Sequence, residues 1–203
     1  MNLSNLTDLQ LDAVREISGI GAGHAATSLS ELVGRTIRLE VPTIGIVRIG
    51  DVAQVFGGRE QIVGAVYARL TGEFDGGMLF MAAPEAVRAL SIMLGESPDH
   101  VGEVPDARCE DALLSAIEKL ISSYLRAVSE TTGLQVETSG GAWAYDMAGA
   151  LLEAAVAEIG MSAESAVVVR TVFIDMNHSV EVAFFFVPDP DSLDVILGRL
   201  GMS

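Results

Sequence analysis

One stretch constrains this chain more than any other: Asp8–Val33, DLQLDAVREISGIGAGHAATSLSELV. At 100° per residue, Val14, Ile17, Gly21, Ala25, Leu29 and Leu32 share an apolar sector. Asp12, Glu16, Gly19, Gly23, Thr27 and Ser30 lie on the opposite side. The periodicity predicts an amphipathic helix whose outer face begins with two carboxylates and continues with almost no side chain. A glycine inside a helix costs about 1 kcal/mol relative to alanine, so Gly19, Gly21 and Gly23 together cost roughly 3 kcal/mol. Gly21, on the apolar side, reads as a point of close packing by another element. Gly19 and Gly23 face outward and read as a smooth strip for docking another protein.

The elements that follow can be placed by their punctuation. Gly34 is a natural helix stop. Thr36–Ile49, with Pro42 near its middle, reads as one bent strand or two short ones, followed by strands at Gln61–Thr71 and Gly77–Ala82. Pro84 opens a helix to Leu94. Residues 96–106 hold Pro98 and Pro105 and read as a linker. A second long helix, Asp106–Thr131, turns Leu113, Ile117, Leu120, Tyr124 and Val128 inward and carries Asp111, Ser115, Glu118 and Ser122 on its other side. Then come a strand at Leu134–Thr138, an Ala-rich helix at Met147–Ile159, paired strands at Ala166–Met176 and Val180–Val187 around a turn at Asn177, and a closing helix from Pro190 to Leu200.

The two halves can be laid over each other. Asp12 and Asp111, like Gly34 and Gly133, are separated by 99 positions, and PEAVRALSIMLG from Pro84 matches PDSLDVILGRLG from Pro190. The expectation is a single α/β (α+β) domain over 1–203, internally duplicated, with halves at about 8–95 and 107–201. Its two long surface helices would pack on an antiparallel β-sheet.

Composition removes several function classes. Half of the residues are hydrophobic, so the chain is globular, yet no apolar run approaches the length of a membrane span. The single cysteine, Cys109, cannot form an intrachain disulfide and reads as an ordinary thiol in a reduced, cytoplasmic setting. No Cys/His cluster has metal-ligand spacing. The net charge of −16 is spread through the chain, repels nucleic acid, and leaves no basic patch. Among the 12 basic residues only Lys119 is a lysine. Spread acidity with lysine almost absent points to molar salt, where screening shortens to about 3 Å, and hence to a halophilic archaeon.

The glycines do not form a nucleotide site. SGIGAGHAA has G-x-G-x-G, whereas a dinucleotide fingerprint needs G-x-G-x-x-G directly after a strand, and the preceding residues here are helical and acidic. Trp143 and Tyr145, after Gly140-Gly141, read as packing residues.

Asp12, Glu16 and Gly19, at i, i+4 and i+7, share one exposed face. Together with them, EISGIGAGHAA followed by VGRTIRLEVP resembles the CheC/CheX/FliY family of chemotaxis phosphatases. That family's pattern is an acidic residue or Ser, three residues, Glu, two residues, Asn, and a Pro farther on. The matching positions here are Asp12, Glu16, Gly19 and Pro42. The resemblance implies hydrolysis of the aspartyl phosphate on the response regulator CheY. Glu16 would dock the regulator as the catalytic-site carboxylate, and Asp12, Gly19, Gly23 and His24 would complete the partner-binding face. It implies no cofactor of the protein's own, with any Mg2+ held by CheY, and the receptor deamidase CheD as a further candidate partner.

The sequence departs from the pattern where the chemistry lies. In the family the Asn amide orients the attacking water; Gly19 has no side chain to do so. In the second half the aligned positions are Asp111, Ser115, Glu118 and Gly141, so Glu, Asn and Pro are all replaced and the site reads as degenerate. His24 lies about 140° round the helix from Gly19 and cannot stand in for the Asn. Two functions follow: a weak CheY-phosphate phosphatase, or a non-enzymatic adaptor that binds CheY, CheD or the motility motor.

Overall fold

The computed structural model describes residues 3, 6–98, 101–102, 104–159, 165–175 and 178–202. The long helices are α1, Asp8–Val33, and α3, Ala107–Thr132. Each ends on a glycine in the left-handed region, Gly34 at φ 65° and Gly133 at φ 72°, a conformation that L side chains strain to adopt. Between them lie β1 (Arg38–Leu39), β2 (Thr43–Arg48), a 3-10 segment (Ile49–Phe56), β3 (Ile62–Gly72), β4 (Gly76–Ala82) and α2 (Pro84–Met93). After α3 follow β5 (Val136–Thr138), β6 (Ala142–Met147), α4 (Ala148–Ile159), β7 (Ser165–Ile174), β8 (Ser179–Pro188) and α5 (Pro190–Arg199).

All eight strands join one antiparallel sheet. Its centre is β7-β8-β4-β3, with β4 buried along its whole length. The edges are crossed over. β1 and β2, from the first half of the chain, pair with β7, while β5 and β6, from the second half, pair with β3. Neither half therefore completes its own sheet, and the open strand edges of one are covered by the other.

The sheet has an apolar layer on each face. On one, α1, α2, α3 and α5 bury Leu29, Leu90, Ile117, Leu120 and Leu197 against Phe80, Phe173 and Phe184. On the other, the 3-10 segment and α4 bring Val52, Ala53 and Leu152 onto Val63, Met81 and Phe185. Burying one large apolar side chain contributes about 1.5–3 kcal/mol, so these layers hold the long helices rigidly in place.

Three sequence expectations need correction. Leu32 is 38% exposed: its azimuth is inward, but in the last turn of α1 the layer beneath no longer covers it. Residues 142–147 form strand β6, with Met147 as its last residue rather than the first of the helix, and Ile49, expected to end a strand, opens a 3-10 helix that runs to Phe56. The expected turn at Asn177 lies outside the described residues. Within 96–106, Val101 is buried and its carbonyl accepts from Arg88, so that stretch is fastened to the body.

Candidate functional site

α1 is pinned at its start. The Gln10 N–H donates to Thr7 Oγ1 at 3.3 Å and the Thr7 N–H to Gln10 Oε1 at 3.0 Å, a reciprocal cap. Gln10 Nε2 also donates to the Met202 carbonyl at 2.9 Å. These bonds fix the rotation of the helix, and with it what faces out: Asp12, Glu16 and Thr27 exposed, Gly19, Gly23 and His24 half-buried.

The three glycines do different things. A Cβ on Gly21 would lie 2.7 Å from two ring carbons of Tyr124, so the close approach of α3 requires glycine there. The Tyr124 ring stacks on Phe184 with centroids 6.1 Å apart, and its phenol is hydrogen-bonded to Ser18. Burial pushes that phenol up to about 12, and the Ser18 bond opposes the shift. At Gly19, by contrast, a Cβ would meet only Ile44 Cδ1, at an ordinary 3.8 Å, and at Gly23 nothing within 4 Å. Neither has a positive φ. Nothing among the described residues demands glycine at 19 or 23.

Glu16 forms no ion pair or side-chain hydrogen bond with any described residue. Asp12 Oδ1 takes Arg15 Nη1 at 3.1 Å, the two side chains being 70% and 47% exposed. His24 is half-buried and makes no bond to a described residue. The Ile44 side chain of β2 lies nearest to Gly19, and Pro42, just before β2, is half-buried.

Asp111 and Ser115 are exposed on α3, but Glu118 turns inward. Its Oε1 accepts the Gly141 N–H at 2.6 Å, and a Cβ on Gly141 would meet Val66 Cγ1 at 2.8 Å and Glu118 Cγ at 3.3 Å. The aligned pair in the first half is Gly19 and Pro42, which has neither an acceptor side chain nor an N–H. Two features went unmarked in the sequence: this Glu118–Gly141 bond, and Arg15, whose i,i+3 spacing from Asp12 and i,i+4 spacing to Gly19 were the available signals. Among the described residues, no group of three or more His, Cys, Asp or Glu is placed to hold a metal ion, and no helix is long and apolar enough to cross a membrane. Cys109 is buried, and burial pushes its thiol up.

The arrangement can be compared with known proteins. The chain is similar to FliY from Thermotoga maritima at 20% identity, covering 98% of this chain and 100% of that one with a TM-score of 0.76. This is the FliY fold. The expected α/β class, long helices on antiparallel sheet, is therefore correct. The FliY fold recurs in FliM from the FliG–FliM complex of H. pylori, at TM-score 0.68 and 11% identity, covering 95% of this chain and 100% of that one. In sequence the chain is 28% identical over 204 residues to the CheY-P phosphatase CheC of Bacillus subtilis (strain 168), spanning 98% of each. Residues 9–46 match the CheC-like family model, a window that contains Asp12, Glu16, Gly19 and Pro42.

Proposed function

We propose that this is a CheC-like chemotaxis protein that acts on phosphorylated CheY, docking it on the outer face of α1. Glu16 is the docking carboxylate of the catalytic site, with Asp12, Gly19, Gly23 and His24 in the contact. The observation that carries the reading is an exposed Glu16, unpartnered among the described residues, beside two glycines that no described residue requires. Full-length kinship to a CheY-P phosphatase supports it.

Phosphoryl transfer asks little covalent work of a protein: a placed water, a placed phosphoryl group and stabilisation of charge. Glu16 supplies placement, and the water is held by backbone or by the regulator itself, since Gly19 offers no amide. Any Mg2+ sits on CheY. The second site is inactive because Glu118 is spent on Gly141. The chain works as one domain of two pseudo-symmetric halves, in the cytoplasm.

A second reading is an adaptor that binds CheY, CheD or the motility motor without turnover. The missing side chain at Gly19 favours it, and so does a fold shared with FliM of a FliG–FliM complex.

Gly19→Asn tests where the phosphoryl group sits. The backbone and the space around Gly19 admit the side chain. A water-holding amide there should raise phosphate release from phosphorylated CheY by about tenfold or more, at some cost in binding because the side chain narrows the docking strip. No rise, with binding intact, would contradict the placement of the reaction on α1.

A further inference from the structure

Arg15 is the one Lys or Arg of α1, whose carboxylates are Asp8, Asp12, Glu16 and Glu31. It precedes Glu16 and stands one turn before Gly19, at the i,i+4 spacing that makes surface neighbours about 5–6 Å apart at Cβ. Its partner among the described residues is Asp12, and both side chains are largely in solvent. An ion pair so exposed contributes little to stability, so the guanidinium changes partner readily. The neighbouring surface is clear, because a Cβ on Gly19 would find only Ile44 Cδ1 within 4 Å.

This inference rests on the reading that phosphorylated CheY docks on α1. A dianionic phosphoryl group brought to the strip would meet Asp12 and Glu16. Those carboxylates repel the phosphoryl oxygens, and a cation on the same face offsets the repulsion. We propose that Arg15 leaves Asp12, enters the room over Gly19, and places its guanidinium on the phosphoryl oxygens. It thereby stabilises the charge that the transition state spreads over them and is a catalytic residue of this site. The planar fork of N–H donors suits two phosphoryl oxygens at once.

The step balances without a proton from Arg15. The water oxygen forms its bond to phosphorus as the bond from phosphorus to the regulator's aspartyl oxygen breaks. That electron pair stays on the departing carboxylate, and both protons of the water leave with inorganic phosphate.

The test is steady-state phosphate release from phosphorylated cognate CheY in molar KCl, using wild type, Arg15→Ala, Arg15→Lys, Asp12→Asn and Glu16→Ala. Arg15→Ala should lower kcat by about tenfold or more with KM nearly unchanged, Arg15→Lys should recover part of the loss, and Asp12→Asn should raise kcat by freeing the arginine. An unchanged kcat in Arg15→Ala, while Glu16→Ala loses turnover, overturns the role of Arg15 and leaves docking on α1 standing. A higher KM at constant kcat also overturns it, making Arg15 a binding contact. Wild type without any acceleration is a different failure, that of the hydrolase reading itself.

Discussion

Glu118 Oε1 accepts the backbone N–H of Gly141 at 2.6 Å, tying the middle of α3 to the start of β6. A carboxylate at that position could have held a water; instead it satisfies the amide just before β6, at a position where a Cβ would meet Val66. A hydrogen bond to a charged acceptor contributes about 1.5–3 kcal/mol. Glu118→Ala should therefore lower stability by about 1–2 kcal/mol, with Glu118→Gln losing less, and phosphate release should not change. Denaturant midpoints and turnover on the same samples check both halves of the statement.

Gly21 and Gly23 should respond oppositely to alanine. At Gly21 the new methyl would sit 2.7 Å from the Tyr124 ring, and overpacking of that kind costs about 1–3 kcal/mol. At Gly23 it meets nothing within 4 Å, so helix propensity should add about 1 kcal/mol. If the strip is a docking face, Gly23→Ala also weakens CheY binding while stabilising the protein. Thermal midpoints with a binding titration measure the pair.

The same contrast shows what was legible in the sequence. Helix α1 and its stop at Gly34, the outward Glu16 and the close approach at Gly21 all follow from spacing along one segment, which a sequence displays directly. Strand β6 did not, although Trp143 and Tyr145 alternate with small residues, because its partner β3 lies about 80 positions away in the other half of the chain. The 3-10 segment has apolar residues at helical spacing but is too short for the period to stand out. The bond from the Gly141 amide to Glu118 was not legible either, because only the fold brings the two together. That Glu16 has no partner among the described residues, and that a Cβ on Gly19 meets only Ile44, are three-dimensional facts of the same kind.

Tyr124 gives the fold an alkaline limit. Its phenol rises from an ordinary value of 10 to about 12 in the folded chain. The unfolded tyrosine releases its proton first, so the folded state binds more protons between these values. Stability is full below pH 10 and declines as pH climbs towards 12, by about 2–3 kcal/mol in all. Tyr124→Phe should be flatter over that window. Urea midpoints from pH 9 to 12 provide the comparison, and equal slopes in the two proteins would contradict the assignment.

We read the acidity as adaptation to molar salt, as in a halophilic archaeon. The net charge of −16 must be carried mainly at the surface, where exposed arginine pairs such as Arg48–Asp51 and Arg170–Glu181 offset little of it. Raising salt shortens the Debye length from about 10 Å at 0.1 M to about 3 Å at 1 M and removes that self-repulsion. Unfolding midpoints should rise between roughly 0.1 and 3 M KCl; flat midpoints would contradict the adaptation.

The central claim is that α1 handles phosphorylated CheY through Glu16. The most direct measurement is the rate of phosphate loss from the phosphorylated cognate CheY in molar KCl, alone, with this protein, and with its Glu16→Ala variant. Acceleration that disappears in the variant is the predicted result. Acceleration that survives Glu16→Ala would place the chemistry away from this face of α1 and contradict the account.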